Sequence, residues 1–330
     1  MDELDDIFVE DILEKEEALT TSFYGDALNI LPMITYFLKK YPYACSPIDV
    51  RYMNGYIQWL CEFDQNDNCI RYLSIPPTYV EHFYKCLQND DIRFIFDIIM
   101  LKQKNSKIND YGTHLIAWLY DRNDNTVEIF EPQGQREEFI DDPWFEEAYF
   151  YEEISKLFKQ KFGVKDVITS FCPKISFQAI QKKDNESLST DPFGFCGAWS
   201  LWWIDYRLAN YKSAKTRQEL VSTALNKIKK SNYSFTKFIR NYSQFVANIK
   251  QQAILMVYDE LNQTEKGRQI IQDIAENDMA LNTLSKLSSK QKEVEILNIA
   301  DKYKHIDYNM IFKNIINQLE KQRKNIFISE

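Results

Sequence analysis

Between residues 195 and 208 the chain is apolar on almost every face a helix could present, with no Gly or Pro after Gly197. A helix of that kind is buried on most of its sides. The material to bury it lies upstream. Residues 93–101, 113–120 and 126–131 are three apolar runs of β type, separated by polar stretches at 102–110 and 121–125. Pro132 and Gly134 stop the third run. Short connections favour antiparallel neighbours, so these runs predict a three-stranded meander.

The flanks are simpler to read. Residues 27–39 and 79–88 have helical patterns, and 56–62 and 69–75 read as strands around the polar turn 64–68. Helical periodicity returns at 152–161, and a short strand is expected at 166–171. Phe238, Tyr242, Phe245, Ile249 and Ala253 form an amphipathic stripe, and 216–330 should hold three or more helices. Residues 1–20 are acidic and suit a helix or a loose arm. The expected class is α+β: an antiparallel sheet packed on a buried helix, with helical additions at both ends. The expected divisions are an extension at 1–89, a core at 90–212 and a helical region at 213–330. Five of the eight glycines lie between 112 and 197, in the expected core.

Composition removes several function classes. With 45% hydrophobic and 15% aromatic residues the chain can bury a large core and is not a disordered one. A net charge of −9 disfavours binding to nucleic-acid phosphates, so no nucleic acid is required. No apolar run reaches the ~18 residues of a membrane span, and the acidic N-terminus is unlike a secretory signal. Cys45, Cys61, Cys69, Cys86, Cys172 and Cys196 are scattered without CxxC spacing, so no zinc site is expected. They read as mostly reduced thiols in an intracellular, reducing setting.

Chemistry points to three residues. Of the histidines, His82 and His305 lie in helical, polar surroundings, whereas His114 sits within an apolar strand just after Gly112. A lone histidine there is often only a satisfied core residue, but Glu131 ends the adjacent strand 17 positions on. A hairpin loop of two or four residues makes partner numbers sum to an odd value. With Arg122 and Asn123 as the loop, 114 pairs directly with 131 on one face. A carboxylate there would fix the imidazole tautomer and stabilise the imidazolium. A three-residue loop would instead favour Glu128. Cys196 opens the apolar helix, where the dipole and unpaired amides lower a thiol's pKa. Amides such as that of Gly197 could also stabilise an oxyanion. Cys45, Cys61, Cys69 and Cys86 read as small buried hydrophobes, and Cys172 precedes a proline with no helix behind it. The aromatic helix after Cys196 reads as core rather than as a ligand box.

The order His, acid, then Cys on a helix resembles the adenovirus-protease and SUMO/ubiquitin-like-protease clan of cysteine peptidases. It is most similar to the divergent members carried by nucleocytoplasmic large DNA viruses. The segments that carry the likeness are Arg93-Phe94-Ile95-Phe96, Gly112-Thr113-His114, Ile129-Phe130-Glu131-Pro132-Gln133-Gly134 and Gly194-Phe195-Cys196-Gly197-Ala198-Trp199, with Asp205-Tyr206-Arg207 after them. The resemblance implies peptide or isopeptide hydrolysis by a Cys-His-Glu triad. It implies protein substrates such as a viral polyprotein or a ubiquitin-like conjugate, and no metal or organic cofactor. It places the chain in host cytoplasm or virion. It also implies a glutamine amide at the oxyanion, for which Gln178 is the first candidate and Gln181 the second. Leu115 stands where the clan commonly has Trp, and Phe195 where it commonly has Asp. Two other readings fit the same residues: an inactive peptidase fold serving as a binding protein, and an acyltransferase of the YopJ type.

Overall fold

The structure, a computed structural model, describes residues 27–48, 55–63, 69–105, 110–134, 147–184, 195–231 and 233–283, with a few isolated positions beyond. The acidic segment 1–20, His305 and Gly194 lie outside the described residues. The elements run α1 (Ala27–Lys40), β1 (Ala44–Cys45), β2 (Ile57–Phe63), β3 (Cys69–Ser74), α2 (Tyr79–Gln88), β4 (Phe94–Asn105), β5 (Asp110–Asp121) and β6 (Thr126–Phe130). After them come α3 (Glu147–Lys161), β7 (Asp166–Ile168), α4 (Phe177–Gln181), α5 (Cys196–Ala209), α6 (Arg217–Lys230), α7 (Phe235–Asn262) and α8 (Glu265–Thr283).

One sheet in the order β3-β2-β4-β5-β6-β7 organises the chain, with β1 also pairing β4. The meander β4-β5-β6 is antiparallel, as its short connections require. The expectation of an antiparallel sheet needs correction, because β1 and β2 both run parallel to β4, and β7 runs parallel to β6. Turn chemistry reports only local hairpins. The parallel pairings join segments far apart in sequence and leave no local signal.

Both faces of this sheet are covered. Phe94, Phe96, Ile98, Leu115, Ala117, Leu119 and Phe130 face a core shared with α1, α5, α6 and α7. Ile95, Ile99, Leu101, Ile116, Trp118, Val127 and Ile129 point the other way, against α2 and α3. Burial on both sides explains why β4 and β5 read as continuous apolar runs rather than as alternating ones. Asp97 is the polar interruption in β4. Its carboxylate accepts from Tyr79 Oη at 2.7 Å and from the Ile98 amide at 2.8 Å. Burial nonetheless pushes it up to about 8.

Helix α5 is buried along nearly its whole length, from Gly197 to Leu208. Its indoles are packed as core. Trp203 stacks on Phe130 with ring centroids 4.8 Å apart, and Trp199 stacks on Phe238 of α7 at 5.6 Å. The nucleophile candidate therefore rides on a helix clamped between sheet and C-terminal helices.

The cysteine expectation is also corrected. Cys45 and Cys86 form a disulfide with Cα atoms 5.9 Å apart, and Cys61 is disulfide-bonded as well. The register of β1 on β4 and the placement of α2 bring 45 and 86 within bonding range although they stand 41 positions apart in sequence. Cys172 and Cys196 are free thiols.

Candidate active site

The β5–β6 connection has four residues, 122–125, because Asp121 pairs with Thr126. Asn125 takes φ 53°, a left-handed conformation that asparagine tolerates, and Asp121 Oδ1 accepts the Asn123 amide at 3.1 Å. Partner numbers therefore sum to 247, as in Ala117 with Phe130, rather than to 245. His114 is thus not directly opposite Glu131, which corrects the two-residue loop. The sum stays odd, so the two share a face.

The ladder ends at Ala117 and Phe130, and both side chains project from the strands beyond it. His114 Nε2 lies 2.9 Å from Glu131 Oε1 and 3.0 Å from Oε2, with both residues buried. The same ring hydrogen-bonds the Cys196 sulfur. With Nε2 committed to the carboxylate, Nδ1 is the nitrogen left for the thiol.

Electrostatics follow from this chain of contacts. Burial alone would lower His114, but the Glu131 carboxylate and the sulfur beside it hold it up at about 9. Burial pushes the Cys196 thiol up. The hydrogen bond and charge of His114, with the Leu115 amide, outweigh that and bring it below its ordinary value. Each group favours the charged form of the other, an imidazolium–thiolate pair. Cys196 stands at the head of α5, whose first intrahelical bond runs from the Trp199 amide to Phe195 O at 2.8 Å. Amides before Trp199, that of Gly197 among them, have no acceptor within the helix and suit an oxyanion.

The alternative acid, Glu128, is engaged elsewhere. It accepts from Arg217 Nε at 2.6 Å, Arg207 Nε at 3.2 Å and Trp203 Nε1 at 3.3 Å. These bonds tie α5 and α6 to the β5–β6 hairpin and leave Glu131 as the histidine's partner.

The turn after Glu131 joins the site to the glutamine segment. Glu131 Oε1 accepts the Gln133 amide at 2.9 Å, and the Gly134 amide bonds Glu131 O at 3.1 Å. The Gln178 amide donates to Pro132 O at 2.8 Å, and that of Ser176 to Gln133 O at 3.2 Å. Gln178 is buried and its Oε1 has no partner among the described residues. Gln181 is buried one turn on, where its backbone carbonyl takes Thr236 Oγ1 at 3.3 Å and ties α4 to α7. Gln178 is thus joined to the site through Pro132, whereas Gln181 is tied to α7. Cys172 also belongs to this neighbourhood. Its buried thiol accepts the Glu131 amide and is held far above the ordinary range by burial.

Gly134 makes the junction possible. Its φ is +94°, and a Cβ there would stand 2.4 Å from Pro173 O and 2.6 Å from Lys174 O. Gly134→Ala is expected to destabilise the fold by about 2 kcal/mol or more, from strained backbone and displaced main chain. It should also displace Glu131 and Gln178 together. Urea unfolding, with cleavage assayed where the variant remains folded, measures both effects.

Among the described residues no group of three or more His, Cys, Asp or Glu could hold a metal ion. None of the described helices is long and apolar enough to cross a membrane.

No family model matches the chain. A distant relative is "Putative ankyrin repeat protein L371" of Acanthamoeba polyphaga mimivirus, 25% identical over 267 residues. The match covers 72% of this chain and 33% of that protein, so the chain spans about a third of the relative's length. In fold the chain is similar to the SUMO protease Ulp1, at a TM-score of 0.34 and 12% identity, covering 77% of this chain and 97% of that one. It is similar also to the Chlamydia trachomatis effector Cdu1 bound to ubiquitin, at a TM-score of 0.35 and 11% identity, covering 72% and 95%. The Legionella pneumophila effector RavZ gives a TM-score of 0.31 and 10% identity, covering 81% and 74%.

Proposed function

We propose that the chain is a cysteine peptidase that hydrolyses peptide or isopeptide bonds, with Cys196 as nucleophile, His114 as base and acid, and Glu131 as its orienting carboxylate. The observation that carries this reading is the continuous hydrogen-bonded path from Glu131 through the His114 ring to a sulfur at a helix head. The thiolate attacks the substrate carbonyl carbon, and the electron pair moves to oxygen, near the Gly197 amide. Gln178 is the proposed side-chain donor to that oxygen. His114 gives its proton to the leaving amine as the C–N bond breaks, leaving a thioester on Cys196. Water then attacks the thioester, passing a proton to His114. The acid is released and the thiolate restored.

The substrates proposed are proteins: a viral polyprotein, or a conjugate of ubiquitin or a ubiquitin-like modifier. A virion or another oxidising location accommodates the Cys45–Cys86 disulfide better than a reducing cytosol does. The test is a panel of ubiquitin, ubiquitin-like and Gly-containing peptide probes bearing a C-terminal electrophile. One of them is expected to give a single adduct, mapped by mass spectrometry to Cys196. An adduct on Cys172, or acetylation of Cys196 by acetyl-CoA with no probe reacting, would overturn the peptidase reading.

A further inference from the structure

Strand β5 loses its neighbour just where the site begins. In an antiparallel ladder a residue's N–H and C=O point to the same side, and residues two apart share that side. Asp121, Leu119 and Ala117 have Thr126, Glu128 and Phe130 opposite them on β6, and the ladder stops there. Leu115 is the next residue in that series. Its carbonyl turns to α5 instead, where Ser200 Oγ donates to Leu115 O at 3.0 Å, and its amide lies near enough to the Cys196 sulfur to favour the thiolate. Cys196 and Ser200 are four positions apart on the helix, so their side chains stand one above the other, ~5–6 Å between Cβ atoms. That spacing sets the sulfur and the Ser200 hydroxyl on one helix face against a single residue of β5.

From this geometry we infer that Ser200 is a positioning residue for the Cys196–His114 pair, acting through the Leu115 carbonyl that it holds beside His114. The inference rests on Cys196 being the nucleophile. His114 immediately precedes Leu115, so the element that sets the ring also sets the amide facing the sulfur. The Ser200–Leu115 bond fixes how α5 is rotated against β5. Ser200 and Leu115 are buried, at 0% and 2% exposure, so water cannot replace the hydroxyl. A helical serine commonly bonds the carbonyl four residues back; this one reaches across to the strand. Losing the hydroxyl leaves Leu115 O buried without a donor and frees the helix to turn.

The test follows iodoacetamide alkylation of Cys196 against pH in the full chain, read at the Cys196 peptide by mass spectrometry. Ser200→Ala is expected to move the alkylation profile to higher pH, slowing the reaction about tenfold on its acid limb, while circular dichroism shows a folded protein. Ser200→Thr and Ser200→Val have nearly equal bulk and differ in the hydroxyl. The Thr variant should keep the wild-type profile and the Val variant should follow Ala. Profiles that superimpose for Thr and Val, or a failure of all three variants to fold, would overturn the proposal. Alkylation needs no substrate. If the peptidase reading alone is wrong, the hydroxyl-dependent shift persists in a chain that no electrophilic substrate probe labels.

Discussion

Cys196→Ala and His114→Ala are each expected to lower kcat/KM by at least about 10⁴-fold, with the double variant falling no further. Removing the sulfur leaves no atom able to form the thioester. Removing the imidazole has two consequences. It deletes the proton carrier, and it deletes the strongest downward influence on the thiol. Burial then acts on Cys196 almost unopposed and pushes the thiol up, so the reactive thiolate becomes scarce at neutral pH. Because both residues serve the same step, the second substitution has little left to remove. His114→Ala also leaves Glu131 buried without its partner, although the Gln133 amide still donates to its Oε1. Breaking a buried pair this way costs about 3–5 kcal/mol, so unfolding is measured beside kinetics. The sign of the pH dependence separates the two causes. The folded pKa of His114, about 9, lies above the ordinary 6.5, so the pair's contribution to stability is fully present below about pH 6.5. It is lost as pH rises through about 9. A wild-type chain should therefore lose more stability across that window than the His114→Ala chain, in which the loss that comes from Asp97, pushed up to about 8, remains. Cleavage that survives in either single variant would sink the assignment.

What could be read from the residues, and what could not, divides by distance along the chain. Helix α5 announces itself through an unbroken apolar run, and the β4-β5-β6 meander through runs separated by polar turns. The shared face of His114 and Glu131 needed only an odd partner sum, which survives the change from a two-residue to a four-residue loop. Features made by segments that meet from afar carry no such mark. The parallel seat of β1 and β2 on β4 and the bond between Cys45 and Cys86 depend on where distant segments end up in three dimensions. Gly134 reads as a strand stop, yet its reason is a backbone 39 or more positions away, at Pro173 and beyond. Ser200 is visible as a polar residue one turn after Cys196, but its acceptor belongs to a strand 85 positions earlier.

Glu131→Gln should lower kcat/KM by about 10²–10⁴-fold and should close the pH window in which the ion pair exists. Wild type needs a deprotonated sulfur and a protonated ring together. The lower edge of that window is the depressed thiol, and the upper edge is the imidazolium at about 9. Glutamine keeps a side-chain oxygen for the Nε2 proton but removes the charge that holds the ring up, so the upper edge falls toward about 6.5. The effect on the lower edge has two opposing parts. Direct repulsion between the Glu131 carboxylate and the thiolate disappears, which lowers the thiol. The ring becomes a weaker source of positive charge, which raises it. These two parts oppose one another on the thiol, so the change is read at the upper edge. The upper edge closes on the lower one, and the ion pair is left little pH range in which to dominate. A pH profile of kcat/KM shows this as a lower and narrower bell with its alkaline limb moved toward acid. Glu128→Gln is the matched control: it weakens the bonds to Arg207 and Arg217 and should destabilise the fold, yet leave the alkaline limb in place. If Glu128→Gln moves the limb and Glu131→Gln does not, the acid has been assigned to the wrong glutamate.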